Sequence, residues 1–145
     1  MTAFTGGCHC GAVRYAYEGS VHRFSYCHCD DCRKIGGAAY SAAVVVDTDG
    51  FTLTAGTDQL TGYASSPGKL RRFCRRCGAH VVAGMEQRPG ILIVRAGTID
   101  TMPADLAPQM HIWVKAKPAW YDIHDALPQF AEGYQPAETP HGKNS

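Results

Sequence analysis

The apolar residues of the chain come in short runs, separated by stretches that are polar or contain glycine. These runs are rich in β-branched and aromatic residues, and several end on glycine, which is typical of β-strands. Seven strands are predicted: AVRYAYEG (12–19), AAYSAAVVV (38–46), FTLTAG (51–56), KLRRFC (69–74), AHVVAG (79–84), ILIVRAG (91–97) and HIWV (111–114). The pattern therefore predicts a mainly β protein with short helical pieces.

Two connections between these runs carry local signals. The sequence DTDG (47–50) predicts a hairpin turn between its flanking strands, because Asp and Gly tolerate the backbone angles that such turns require. A short helix is predicted to begin near Asp30 or Asp31, with IGG (35–37) ending it.

The bulk composition is that of a globular protein. The chain has 145 residues, 45% of them hydrophobic, which predicts one domain over residues 1–135 and a loose tail over 136–145. No apolar run approaches the length of a membrane span, and MTAFTGG at the start lacks the features of a secretory signal. A net charge of +1 gives no general attraction to nucleic acid or to an anionic membrane. We therefore expect a cytoplasmic protein with no nucleic-acid or membrane partner.

The seven cysteines form three groups, and none lies beyond residue 77. Thiols stay reduced in the cytoplasm, so a disulfide framework is not expected. CRRCG (74–78) has the spacing of a zinc knuckle, in which a tight turn directs both sulfurs to one point. In each C-x-C pair, alternate residues of an extended strand would point to the same side, so His9 and His28 should face away from a metal.

The spacing predicts two metal sites. Structural zinc takes four protein ligands, whereas catalytic zinc keeps one position open. The two pairs make one closed site from Cys8, Cys10, Cys74 and Cys77. The remaining site has Cys27, Cys29 and Cys32, with its fourth position either open or closed by His80, His111 or His124.

Other roles for the cysteines fit the sequence less well. Buried free thiols would not cluster in this way. A redox dithiol at 29/32 or 74/77 would need a βαβ context, which the chain lacks. A pair of purely structural zinc sites remains the main competitor, and it would make the protein a binding module rather than an enzyme.

An open three-thiolate site favours thiol chemistry over hydrolysis. Zinc with three thiolates has a net charge of −1 and is a weak activator of water. It still binds a soft sulfur donor well, and coordination deprotonates a thiol. A substrate thiol held in this way stays electron-rich and nucleophilic.

Two further segments have ambiguous roles. KLRRFCRR (69–76) holds five positive charges, which would offset the charge of the adjacent zinc–tetrathiolate or dock a carboxylate-bearing thiol such as glutathione. HIWV (111–114) would place His111 and Trp113 on one strand face, with His111 expected to be a satisfied core or edge histidine.

The chain resembles the glutathione-dependent formaldehyde-activating enzyme family, which also includes centromere protein V. The resemblance rests on a C-x-C, a C-x-C-x-x-C and an F-C-x-x-C-G in that order, followed by A-G-T-[IL]-D. The matching segments are GGCHCGAVRY, CHCDDCRKIGG, RFCRRCGAHV, RAGTID, HIWVKAKPAW and LPQF.

The resemblance implies a β-tent of two packed antiparallel sheets with two zinc ions. It implies structural zinc on Cys8, Cys10, Cys74 and Cys77, and catalytic zinc on Cys27, Cys29 and Cys32. The implied reaction is the addition of glutathione to formaldehyde, formally a carbon–sulfur lyase reaction in reverse. Nucleic-acid or cytoskeleton binding, by analogy with centromere protein V, is a weaker hypothesis, because the chain has no long basic or proline-rich extension.

Overall fold

The computed structural model of the chain describes residues 1–134, which form two β-sheets and one short α-helix. The helix α1 spans Asp30–Gly36. The strands are β1 (Thr2–Gly7), β2 (Arg14–Gly19), β3 (Val21–Cys27), β4 (Ser41–Asp47), β5 (Phe51–Ala55), β6 (Leu60–Ser66), β7 (Lys69–Cys74), β8 (His80–Met85), β9 (Ile91–Arg95) and β10 (Met110–Ile112). The prediction of a mainly β fold is confirmed. The tail predicted over 136–145 lies outside the described residues.

The strands are divided unequally between the two sheets. The small sheet has the order β1-β2-β5, and the large sheet has the order β10-β3-β4-β9-β8-β7-β6. All pairings are antiparallel except that of β10, which runs parallel to β3. The expectation of two antiparallel sheets thus holds apart from this edge, where a long connection after β9 lets the chain return in the parallel direction.

The hydrophobic pattern does not predict three of the strands, namely β1, β3 and β6. In β3 the polar residues His22, Arg23 and Ser25 interrupt the apolar pattern. The strand β6 is a sheet edge of mostly exposed residues, and its side chains other than Leu60 and Tyr63 are small or polar. The predicted strand KLRRFC (69–74) coincides with β7.

The hairpin predicted at DTDG (47–50) is wrong. Thr48–Gly50 forms a single 3-10 turn, but β4 and β5 belong to different sheets and do not pair. The turn passes the chain from the large sheet to the small one. A hydrogen bond to a residue outside the turn holds it in place, since the Thr48 N–H donates to the Gly90 carbonyl at 2.9 Å. A turn signal is local and does not specify whether its flanking strands pair.

The predicted helix is confirmed, with Cys29 as its N-cap residue. The Cys29 sulfur accepts a hydrogen bond from the Cys32 N–H at 3.3 Å, which satisfies one of the free amides of the first turn. The helix ends where Gly37 adopts a left-handed conformation with φ of 64°. No helix in residues 1–134 is long and apolar enough to cross a membrane.

The main hydrophobic core draws on both sheets. It includes Phe4, Tyr15 and Tyr17 from the small sheet, together with valines of the large sheet and two of the cysteines, Cys8 and Cys74. A separate, smaller cluster contains Cys27, Cys32 and Ile112. The two groups of cysteines therefore lie in different parts of the interior.

Candidate metal centres

Four cysteines from distant parts of the chain meet at one point. The sulfurs of Cys8, Cys10, Cys74 and Cys77 all lie within 4.8 Å of one another. The Sγ–Sγ distances are 3.7 Å for Cys8–Cys10 and 3.8 Å for Cys10–Cys74. A tetrahedral zinc with Zn–S bonds of about 2.3 Å requires sulfurs about 3.8 Å apart. The donor set and its spacing both fit a zinc ion.

Two loops of similar geometry present these sulfurs. The Cys8 N–H donates to the Val13 carbonyl at 3.0 Å, and the Cys74 N–H donates to the Ala79 carbonyl at 3.0 Å. A glycine with positive φ follows the second cysteine of each pair, with 82° at Gly11. The pair at 8 and 10 lies in a turn after β1, so the expected extended strand is wrong for this pair, and the loop itself brings its two sulfurs together.

Backbone amides surround the sulfurs of this cluster. The Val13 N–H donates to Cys8 Sγ at 3.2 Å, and the Arg76 N–H donates to Cys74 Sγ at 3.4 Å. Such bonds favour the thiolate, because they place partial positive charge next to it. The pKa of Cys77 lies near 6, chiefly because the backbone around Ala79 and Cys10 hydrogen-bonds to its sulfur.

The other three cysteines gather at the start of α1. Cys27 ends β3, Cys29 caps the helix, and Cys32 lies in its first turn. Their sulfurs lie within 4.8 Å of one another. Among residues 1–134, no ligand atom of a histidine, a fourth cysteine or a carboxylate joins this group.

The three histidines considered as a fourth ligand lie elsewhere. His111 is fully buried and hydrogen-bonded to other partners, and His124 is exposed. Of the three, His80 comes closest to the properties of a fourth ligand, because it lines the same cavity as Cys32 and its Nε2 has no hydrogen-bond partner.

A hydrogen-bonded chain of two buried imidazoles and an exposed carboxylate lies next to the three-cysteine cluster. His28 Nε2 and His111 Nδ1 are 2.8 Å apart, and His111 Nε2 lies 3.0 Å from both carboxylate oxygens of Asp125. Burial lowers the pKa of His28 to about 4, so its ring is neutral near pH 7. The His28 ring therefore hydrogen-bonds to His111 and not to the sulfurs on either side of it, as the sequence predicts. His111 has hydrogen-bond partners at both ring nitrogens, as expected for a core histidine.

The expected common face of His111 and Trp113 is wrong. The strand β10 ends at Ile112, and Trp113 adopts a left-handed conformation with φ of 58°. The indole instead packs against the small cluster around Cys27 and Cys32.

Cationic side chains surround the three-cysteine cluster. Arg71 is 2% exposed, and its Nη1 lies 3.8 Å from Cys32 Sγ. Arg95 is 7% exposed; burial lowers its pKa, and the Cys32 thiolate acts in the opposite direction. Burial and the charge of Arg71 lower the pKa of Lys69. The basic run on β7 therefore contributes Arg71 to the three-cysteine cluster.

Neighbouring thiols and cations lower the pKa of Cys32. The pKa of Cys32 lies far below its ordinary value, because Cys27 and Cys29 hydrogen-bond to its sulfur and because Arg95 and Arg71 attract the thiolate. These interactions favour the thiolate form of Cys32. Arg95 was missed at the sequence level, although a charged residue at the end of an apolar strand was a usable signal.

A cavity of about 530 Å³ opens beside Cys32. Its wall combines sulfur, cationic, imidazole and hydroxyl groups: Cys32, Tyr40, Ser41, His80, Arg95 and Thr98. The apolar residues Ile112, Met110, Trp113 and Phe130 pack against the three-cysteine cluster. Cys32 thus borders a cavity with polar groups, while apolar side chains pack against the cluster as a whole.

Fold and site together define a mainly β protein with two thiolate clusters suited to metal ions, one of four sulfurs and one of three. The sequence profile of the glutathione-dependent formaldehyde-activating enzyme family matches residues 3–116. The chain belongs to this family.

Related sequences carry the same family name, and one solved structure has a similar fold. A provisionally named glutathione-dependent formaldehyde-activating enzyme of Halomonas elongata is 30% identical over 126 residues, covering 81% of this chain and 79% of the relative. A similarly named protein of Talaromyces marneffei is 30% identical over 106 residues, covering 68% of this chain and 57% of the relative. The crystal structure of a Rhodobacter sphaeroides protein, 24% identical, superposes with a TM-score of 0.59 over 69% of this chain and 91% of that one, which shows a shared fold.

Proposed function

We propose that this protein catalyses the zinc-dependent addition of a thiol to a small aldehyde, a carbon–sulfur lyase reaction run in the direction of synthesis. The observation that carries the proposal is the three-cysteine cluster, which has no fourth protein ligand among residues 1–134 and adjoins a cavity. Glutathione and formaldehyde, or a related small aldehyde, are the proposed substrates, and family membership supports them.

Two zinc ions per chain are proposed. Cys8, Cys10, Cys74 and Cys77 would hold a structural ion, and Cys27, Cys29 and Cys32 would hold a catalytic ion. When bound to the three cysteines, zinc supplies a position that accepts the substrate thiol and favours its deprotonation. Because these ligands must be reduced thiols, we place the protein in the cytoplasm.

The buried arginines suit this chemistry. Three thiolates and a divalent ion have a net charge of −1, and a substrate thiolate brings the total to −2. Arg71 and Arg95 together contribute +2 next to Cys32. A buried charge is costly unless it is balanced, so the two guanidinium groups favour the state in which the substrate thiolate is present.

The bond changes are simple. The substrate thiol releases its proton to solvent, and a sulfur lone pair forms the carbon–sulfur bond at the carbonyl carbon. The carbonyl π-electrons move to oxygen, which then takes a proton. The hydroxyls of Tyr40 and Ser41 in the cavity wall are available to hydrogen-bond this oxygen. The apolar side around Trp113 and Phe130 limits access of water to the sulfurs.

Exchange NMR spectroscopy of glutathione and formaldehyde tests the proposal. We expect the protein to accelerate exchange between the free thiol and the S-hydroxymethyl adduct. A variant with Cys27→Ser, Cys29→Ser and Cys32→Ser should lose the acceleration, whereas His9→Ala, at an exposed residue, should retain it. Equal exchange rates for the wild type and the triple variant would refute the proposed activity.

X-ray absorption at the zinc edge tests the alternative binding module. The enzyme requires a mean of fewer than four protein sulfurs per zinc and a light atom or substrate sulfur at the second ion. If both ions have four permanent protein ligands, the protein is better described as a zinc-stabilised binding module.

A further inference from the structure

The cavity beside Cys32 is lined by an arginine whose hydrogen-bond donors are not all paired. Arg95 is 7% exposed, and its Nη1 donates a hydrogen bond to Ser41 Oγ, but its Nε has no hydrogen-bond partner. A buried donor without a partner costs free energy unless a ligand or water satisfies it. Arg95 lines the cavity, so a ligand inside the cavity can contact its guanidinium group, although Nε itself is covered by protein.

The wall of the same cavity carries a cation and no negatively charged carboxylate. None of the cavity-lining residues is acidic, and none of the ion pairs within residues 1–134 involves Arg95. A carboxylate inside the cavity would therefore meet the Arg95 guanidinium without a competing carboxylate side chain.

The cavity also has room for more than a one-carbon aldehyde. Its volume is about 530 Å³, and a Cβ added at either of its two wall glycines, the exposed Gly36 and Gly97, would meet no atom within 4 Å. Formaldehyde carries no group that would use this space or the guanidinium of Arg95.

We propose that the carbonyl substrate of this site carries a carboxylate, as an aldehydic acid or 2-oxo acid does, and that Arg95 binds this carboxylate. The inference rests on the proposed thiol-addition function and specifies its second substrate. A planar guanidinium matches a carboxylate with two parallel hydrogen bonds.

Bound in this way, the carboxylate sets the position of the neighbouring carbonyl. With glyoxylate as the simplest case, the thiolate sulfur bonds to the aldehyde carbon, and the carbonyl π-electrons move to oxygen. The oxygen takes one proton, and the product is the carboxylate hemithioacetal. The thiol's own proton balances the one gained by oxygen, so no oxidant or further reactant is needed.

Binding of a carboxylate probe tests the inference without any reaction. Isothermal titration calorimetry of the zinc-loaded protein should show that glycolate binds at least tenfold more tightly than glycolamide, its neutral analogue. Arg95→Gln should abolish this difference, and Arg95→Lys should retain part of it. Arg72→Gln, at an exposed arginine of β7, is the matched control and should leave the difference unchanged.

Equal affinity of the wild type for glycolate and glycolamide would overturn the inference, as would a preference that survives Arg95→Gln. If Arg95→Gln does not fold, protection of Arg95 from phenylglyoxal by glycolate in the wild type replaces it, and absence of protection overturns the inference.

A kinetic comparison separates this inference from the proposed function. Acceleration of hemithioacetal exchange should be at least tenfold greater with glyoxylate than with glycolaldehyde. Equal acceleration of both would overturn the inference and leave the thiol-addition function standing. Acceleration of neither aldehyde, nor of formaldehyde, would refute the function itself.

Discussion

His28 and His111 show how single residues fix the three-cysteine cluster. His28 lies between two of its cysteines, is completely buried, and is held through its Nε2 by His111. His111 in turn is held by Asp125. The backbone is held at the same place, since the His28 N–H donates to the Ile112 carbonyl at 3.0 Å. The orientation of the cluster therefore depends on a side chain far away in the sequence.

Replacing His111 by Phe should destabilise the protein and weaken metal retention. The change leaves His28 Nε2 buried without a partner, which costs about 1–3 kcal/mol. Urea unfolding and zinc release to a chelator are the measurements. His124→Phe, at an exposed histidine, should leave both unchanged. If His111→Phe matches the wild type in both, the imidazole pair has no positioning role.

Tyr15 makes stability sensitive to alkaline pH. Burial raises the pKa of its phenol to about 12, above the value of about 10 expected in the unfolded chain. The folded state therefore retains the proton longer, so this contribution is fully present below pH 10 and is lost as pH rises toward 12. The shift corresponds to about 3 kcal/mol.

The check is urea unfolding of wild type and Tyr15→Phe between pH 8 and 12. The variant loses the hydrogen bond to Thr98 at every pH, but its stability should fall less steeply above pH 10. Tyr63→Phe, at an exposed tyrosine, should follow the wild-type curve. Parallel curves for all three proteins would mean that Tyr15 is not the titrating group.

Among the elements, the loop between β7 and β8 depends on one glycine. Gly78 has φ of 79°, and its N–H donates to the Cys74 carbonyl at 2.8 Å. A Cβ added there would meet no atom within 4 Å, so backbone strain alone opposes substitution. Gly78→Ala should lower the free energy of unfolding by about 1–2 kcal/mol.

Gly78→Asn is the matched comparison, because asparagine adopts left-handed conformations more readily. Its loss in urea unfolding should be smaller than that of alanine. If asparagine is as harmful as alanine, contacts rather than backbone strain limit this position.

At the same scale, the sequence predicts what is local and misses what depends on pairing. The grouping of the cysteines follows from short spacings, and the helix at Asp30 follows from its own capping residues. The placement of Arg71 beside Cys32 depends on how β7 packs near α1, and the contact of His28 with His111 depends on the parallel pairing of β10 with β3. No short-range pattern specifies these contacts.

For the whole molecule, the two clusters should differ in what their metal stabilises. The four-sulfur cluster joins Cys10 after β1 of the small sheet to Cys74 at the end of β7 of the large sheet, and Cys74 is fully buried in the main core. A structural zinc contributes about 10–16 kcal/mol of apparent binding free energy, comparable to the ~5–15 kcal/mol stability of a domain.

Cys74→Ser or Cys77→Ser should therefore unfold the protein or prevent soluble expression. Cys27→Ser or Cys32→Ser should leave a folded protein that has lost about one zinc, because that cluster closes a short loop outside the main core. Thermal melting with metal analysis distinguishes the two classes. If the Cys27 and Cys32 variants collapse while the Cys74 and Cys77 variants melt like the wild type, the roles of the clusters are reversed.

The spacing of the two clusters along the chain also sets the order in which they can assemble on the ribosome. The ligands at 27, 29 and 32 emerge together, whereas the four-sulfur cluster must wait for Cys77. At about 5–20 residues per second, the intervening 45 residues, from 32 to 77, take about 2–9 s to synthesise. During that interval the nascent chain exposes three thiols that can capture a metal before the large sheet is complete. The identity of an ion at the three-cysteine cluster can thus be decided during translation, before the fold is available to select it.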